Sequence, residues 1–211
     1  MKTKNCINNT KHIKSKRTKL VLGLLSAFFL LGLFISPAAA KTDWKISPSN
    51  PSVGDTLKVK GTASPGEELI AEVSFVKDLP VTGGRYQYSL EKIKIPRGKD
   101  NLFTVTGEGV ENLNVSVKKL IWIDLSSDAS GGTATISQGH VPPLKYKIII
   151  SGDALSTPGK HSSVKLKVTA SQTLKTNQKG KFNFNYPTSG LPAGKYTVKI
   201  GNSEKTIELK P

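Results

Sequence analysis

Cysteine is almost missing from these 211 residues. The single one, Cys6, lies ahead of an unbroken apolar run, Leu20–Ile35 (LVLGLLSAFFLLGLFI), and none follows it. That excludes a disulfide-stapled scaffold for the rest of the chain and acylation of a cysteine just after the run. Helical periodicity is lacking too, since no window repeats its apolar residues every three to four positions. Only two histidines follow the run, His140 beside Pro142-Pro143 and His161 beside Pro158-Gly159. Neither sits in a Ser, His or metal motif, and two histidines without cysteine do not build a standard zinc site. The one adjacent acid pair, Glu67-Glu68, falls in an alternating stretch that points the two side chains to opposite faces. Asp124, Asp128 and Asp153 read as markers of turns and a solvated linker rather than as a calcium site. No glycine-rich phosphate loop leads into a helix. These absences argue for a protein that is not an enzyme and that carries no metal or other cofactor.

What the chain does have begins at its N-terminus. Seven Lys or Arg residues and no acid precede Leu20, and Pro37-Ala38-Ala39-Ala40 follows the apolar run. A basic head, an apolar stretch and an Ala-x-Ala end compose a secretory signal, with cleavage expected before Lys41. The 17 residues Leu20–Ser36 also span about 25 Å as a helix, close to a bilayer core, so an uncleaved signal anchor is the competing reading. Both place residues 41–211 outside the cytoplasm, secreted or membrane-anchored at the cell surface.

Beyond residue 40 the apolar stretches are short, rich in Val, Ile, Tyr and Phe, and punctuated by Pro and Gly, which is a β composition. Alternation predicts strands at residues 56–60, 68–75, 85–92, 102–107 and 114–123, and again at 134–137, 146–151, 163–170, 181–186, 195–200 and 206–209. The two sets match as a diverged repeat. Gly61 with Pro65-Gly66 corresponds to Gly152 with Pro158-Gly159. Gly84-Arg85-Tyr86-Gln87-Tyr88 corresponds to Gly180-Lys181-Phe182-Asn183-Phe184, and Pro96-Arg97-Gly98 to Pro192-Ala193-Gly194. Period-2 spacing puts Tyr86 and Tyr88 on one face, and Phe182 and Phe184 likewise, as core faces of a two-sheet sandwich. Trp44 and Trp122 read as packing residues. The expected organisation is a first immunoglobulin-like β-sandwich at 41–124, a linker at 125–132 and a second sandwich at 133–211.

With Gly61-Thr62-Ala63-Ser64-Pro65-Gly66, then Gly-x-aromatic-x-aromatic, then a hydrophobic residue before Pro-x-Gly, the chain resembles bacterial and archaeal exported surface proteins with tandem immunoglobulin-like modules. The resemblance covers residues 50–211. It implies fold and location, and it names no ligand.

Charge is uneven along the chain. Residues 41–124 carry 12 Lys+Arg and 11 acids, whereas residues 125–211 carry 12 Lys and 4 acids. Lys145 and Lys147, Lys165 and Lys167, and Lys179 and Lys181 lie two apart, so each pair shares a strand face. Such faces suit an acidic surface polymer. Without exposed aromatics between the lysines, nucleic acid is the poorer fit. Asn114-Val115-Ser116 is a glycosylation sequon whose asparagine faces away from Leu113 and Val115. The expected function is non-catalytic binding of an acidic polymer or another envelope protein at the cell surface. The alternatives are assembly by edge-strand pairing, or service as an accessory module of an extracellular enzyme.

Overall fold

Strands extend here wherever apolar and polar residues alternate without a break. The computed structural model describes residues 42–156 and 163–211, all within one compact unit, Ala40–Pro211. The expected export segment, Pro158-Gly159 and His161 lie outside the described residues. The described residues form thirteen strands and no helix. In chain order these are β1 (Asp43–Ser47), β2 (Thr56–Thr62), β3 (Glu68–Pro80), β4 (Arg85–Lys94), β5 (Lys99–Glu108), β6 (Asn112–Lys118) and β7 (Trp122–Asp128). They continue as β8 (Thr133–Gly139), β9 (Lys145–Asp153), β10 (Ser163–Lys175), β11 (Lys181–Pro187), β12 (Gly194–Ile200) and β13 (Ser203–Leu209).

All strand pairs are antiparallel, in three sheets ordered β1-β2-β11, β13-β12-β3-β10-β5-β8 and β4-β9-β6-β7. Gly83 and Gly84, both at positive φ, close the two-residue turn between β3 and β4. Gly131 and Gly132 do the same between β7 and β8, a geometry that glycine adopts without a Cβ penalty.

Each sheet takes strands from both sides of residues 125–132, where two separate sandwiches had been expected. Residues 125–128 are not linker but the end of β7, paired with β6. The centre of the six-stranded sheet is the β3–β10 pair, in continuous register from Ser163 opposite Pro80 to Lys175 opposite Glu68. Each of these strands is 13 residues long. The physical reason is local: no Gly or Pro interrupts residues 67–79 or 163–175, so neither strand turns back midway. The strand that follows each long strand then pairs with a strand of the other half. β11 joins β2, and β4 joins β9.

The layers pack through one continuous core. Trp44, Leu57, Val59, Phe182 and Tyr186 face inward from the three-stranded sheet, and Tyr86, Leu113, Val115, Ile148 and Ile150 from the four-stranded one. Val105, Val164, Leu166, Val198 and Ile200 are among those facing them from the central sheet. Phe75, midway along β3, joins the two ends. Its ring lies 5.3 Å from that of Tyr196 and 6.5 Å from that of Tyr88, contacts that add to its buried area.

Glycine placement shows how strands of the two halves of the chain seat against each other. Phe182 of β11 lies opposite Gly61 of β2, and Tyr86 of β4 lies opposite Gly152 of β9. A Cβ at Gly61 would collide with the Phe182 ring and with the Asp43 carbonyl. A Cβ at Gly152 would meet the Asn112 carbonyl and the Tyr86 hydroxyl. Each aromatic thus crosses a bare glycine to reach the third strand, an arrangement that covers a strand glycine with a ring. The Tyr86 hydroxyl donates to the Asn112 carbonyl of β6 at 2.8 Å. Burial and the nearby Asp153 carboxylate push that phenol up to about 12.

Two further tyrosines pin loops. The Tyr196 hydroxyl donates to the Pro192 carbonyl at 2.7 Å and the Tyr146 hydroxyl to the Pro142 carbonyl at 3.0 Å, each four residues upstream. This is the corner by which a phenol ties a strand start to the preceding loop.

Candidate binding surfaces

The six lysines singled out from the sequence do not share a face. Lys145 and Lys147 start β9 on the outer side of the four-stranded sheet, where Lys147 pairs with Glu91 at 2.7 Å. Lys165 and Lys167 lie on the outer side of the central sheet. There the register sets Lys165 between Asp78 of β3 and Glu108 of β5, so acids surround that position. Lys179 and Lys181 lie at the β10–β11 turn and the start of β11.

The last of these pairs joins a basic surface that spans a whole sheet face. The outer face of the three-stranded sheet reads in rows across β1, β2 and β11. Ser47, Lys58 and Asn185 form one row, Lys45, Lys60 and Asn183 the next, and Asp43, Thr62 and Lys181 the third. All nine side chains are exposed. Four lysines thus stand beside two asparagines with a single acid. Among the described residues none of these lysines forms an ion pair. Lys45 lies directly opposite Lys60, and like charges in that position destabilise a sheet. The first-half lysines here were missed because the chain-averaged balance of residues 41–124 is near neutral. The signal that marks them is alternation within β2, Thr56-Leu57-Lys58-Val59-Lys60, which puts both lysines on one face.

The outer face of the four-stranded sheet is polar and nearly charge-balanced. Arg85, Asp153, Asn112 and Asp128 form one row, and Gln87, Ser151, Asn114 and Ser126 the next. Asn112 donates to the Asp153 carboxylate at 2.7 Å and accepts from the Asp153 backbone N–H at 3.1 Å. The sequon residue Asn114 lies on this outer face, half-buried, with Leu113 and Val115 buried beneath. Its amide donates to Asn112 at 3.2 Å. No group of three His, Cys, Asp or Glu side chains capable of holding a metal occurs among the described residues.

At one end of the same sheet the expectation for Trp122 fails. Trp44 is buried, but Trp122 is exposed, with the Lys118 ammonium 5.5 Å from its ring centroid. The expected strand 114–123 is two strands, β6 and β7, joined by a turn at Lys119-Leu120-Ile121. That turn carries no Gly, Pro, Asn or Asp and so left no turn signal in the sequence. Leu120 and Ile121 protrude from it, exposed. Behind the turn a cavity of about 340 Å³ opens between the central and four-stranded sheets, lined by Phe103, Val115, Ile136 and Ile148. Lys119, Ile123 and exposed His140 also border it, and His140 adopts a positive φ of 55° in the β8–β9 loop.

No family model, no curated protein and no solved structure matches this chain. No helix of the described residues is long and apolar enough to cross a membrane.

Proposed function

We propose that residues 41–211 work outside the cytoplasm as a non-catalytic binding module of the cell surface. In this reading the two ends of the fold are immunoglobulin-like sandwiches that have exchanged strands. Its contact with an acidic polymer is the lysine–asparagine face of β1, β2 and β11. The supporting observation is the cost accepted at that face: Lys45 opposes Lys60, and among the described residues none of Lys45, Lys58, Lys60 and Lys181 forms an ion pair. A bound polyanion relieves that repulsion, and the asparagines supply hydrogen bonds to hydroxyl or carboxylate groups between the charges.

The test is binding to polygalacturonate, with neutral dextran as control, over a salt series. Binding confined to polygalacturonate, weakening as salt rises and lost in Lys58→Glu/Lys60→Glu, supports the reading. Equal binding by that variant, or none by the parent chain, overturns it.

A further inference from the structure

The exposed apolar turn between β6 and β7 stands at the same end of the four-stranded sheet as a group of lysines. Leu120 is 87% exposed, Ile121 71%, Ile123 53% and Trp122 43%, and Leu144 on the neighbouring β8–β9 loop is 39% exposed. Soluble surfaces carry apolar residues singly as a rule, and a contiguous set on a protruding turn marks an interaction site. The strand ends around it are basic. Lys94 of β4 lies opposite Lys145 of β9, and Lys147 of β9 lies opposite Lys118 of β6, with Lys119 following in the turn itself. These are two more cross-strand pairs of like charge, with Glu91 taking Lys147 and Asp124 two residues into β7.

We infer that this end of the molecule docks on an anionic lipid bilayer, with Leu120 and Ile121 entering the headgroup–acyl boundary. The charge pattern selects that partner. An apolar tip beside a row of lysines matches a surface that is apolar within and negative at its rim. Trp122 stands one residue behind the tip, at the level where amphipathic rings settle in a membrane interface. The lysine stems extend along the surface and keep their ammonium groups at the phosphates. This docking is independent of the lysine–asparagine face, which belongs to a different sheet.

The experiment uses residues 41–211, which contain the whole buried core and form one compact unit, so that the apolar run 20–35 does not itself partition into lipid. Co-sedimentation is measured with vesicles of phosphatidylcholine alone and of equimolar phosphatidylcholine and phosphatidylglycerol, with Trp122 emission read in parallel. The expected result is binding to the mixed vesicles only, with a blue shift that vanishes in Trp122→Phe. Leu120→Ser/Ile121→Ser abolishes it at unchanged Tm, since both side chains are exposed. Lys118→Gln and Lys119→Gln each weaken binding roughly fivefold. No binding to anionic vesicles overturns the inference. So does binding that survives the tip substitutions, or a tip-dependent dimer that ignores lipid.

Discussion

Phe182 lies directly across from Gly61, a pairing between the two halves of the chain. The reciprocal pair, Tyr86 across from Gly152, has the same form. Each aromatic thus covers a glycine of the other half of the chain, so neither half holds a complete core.

Gly61→Ala and Gly152→Ala should each destabilise the whole unit. An added Cβ meets a backbone carbonyl in both cases, Asp43 at the first and Asn112 at the second, so the strand must shift. The cost expected is about 1–3 kcal/mol, as for other overpacked sites. Urea unfolding of these variants in a Trp122→Phe background, followed by Trp44 fluorescence and by far-UV circular dichroism, should show one coincident transition, moved to lower urea by either substitution.

Removing the Tyr86 hydroxyl should also cost stability. Tyr86→Phe leaves the Asn112 carbonyl without its 2.8 Å donor, a loss of about 1–2 kcal/mol. Chemical unfolding at neutral pH measures it.

Alkaline pH should weaken the fold through the same group of residues. Burial pushes Tyr86 and Tyr186 up to about 12, against an ordinary value of 10.0. Above pH 10 the unfolded chain releases phenolic protons that the folded chain retains, so stability falls as pH rises from 10 to 12 and is complete below 10. Comparison of Tyr186→Phe with the parent chain isolates one contribution. The variant should lose less stability than the parent between neutral pH and pH 11.

Lys45→Thr should separate stability from binding. It removes the like-charge pair with Lys60 and places a good strand former in β1. A gain of about 0.2–1 kcal/mol is expected, together with weaker binding to polygalacturonate. Thermal unfolding and the salt-dependent binding assay read the two effects separately.

The strands themselves were legible, because alternation such as Tyr86-x-Tyr88 and Leu57-x-Val59 needs no partner to be recognised. Which strand paired with which was not. A repeat of equal halves is as compatible with exchange as with a tandem arrangement. The feature that decides is the missing break in residues 67–79 and 163–175, which turns two bends into two long strands. For the lysines, spacing revealed the face within a strand but not the sheet, so Lys165 was placed on a basic surface although Asp78 and Glu108 flank it. Trp122 was read as core because its turn is built from Lys119, Leu120 and Ile121, none of them a turn former. Lys45, Lys58 and Lys60 were missed because their neighbours in sequence are balanced by acids that fold elsewhere.

Producing residues 41–131 and 132–211 as separate chains, divided in the turn between β7 and β8 at Gly131-Gly132, tests the exchange most directly. Circular dichroism and polygalacturonate binding would be measured on each chain and on the mixture. The exchanged fold predicts two unfolded, non-binding chains that regain strand signal and binding only when combined, because the lysine face needs β1 and β2 from one and β11 from the other. A half that folds and binds alone would contradict it.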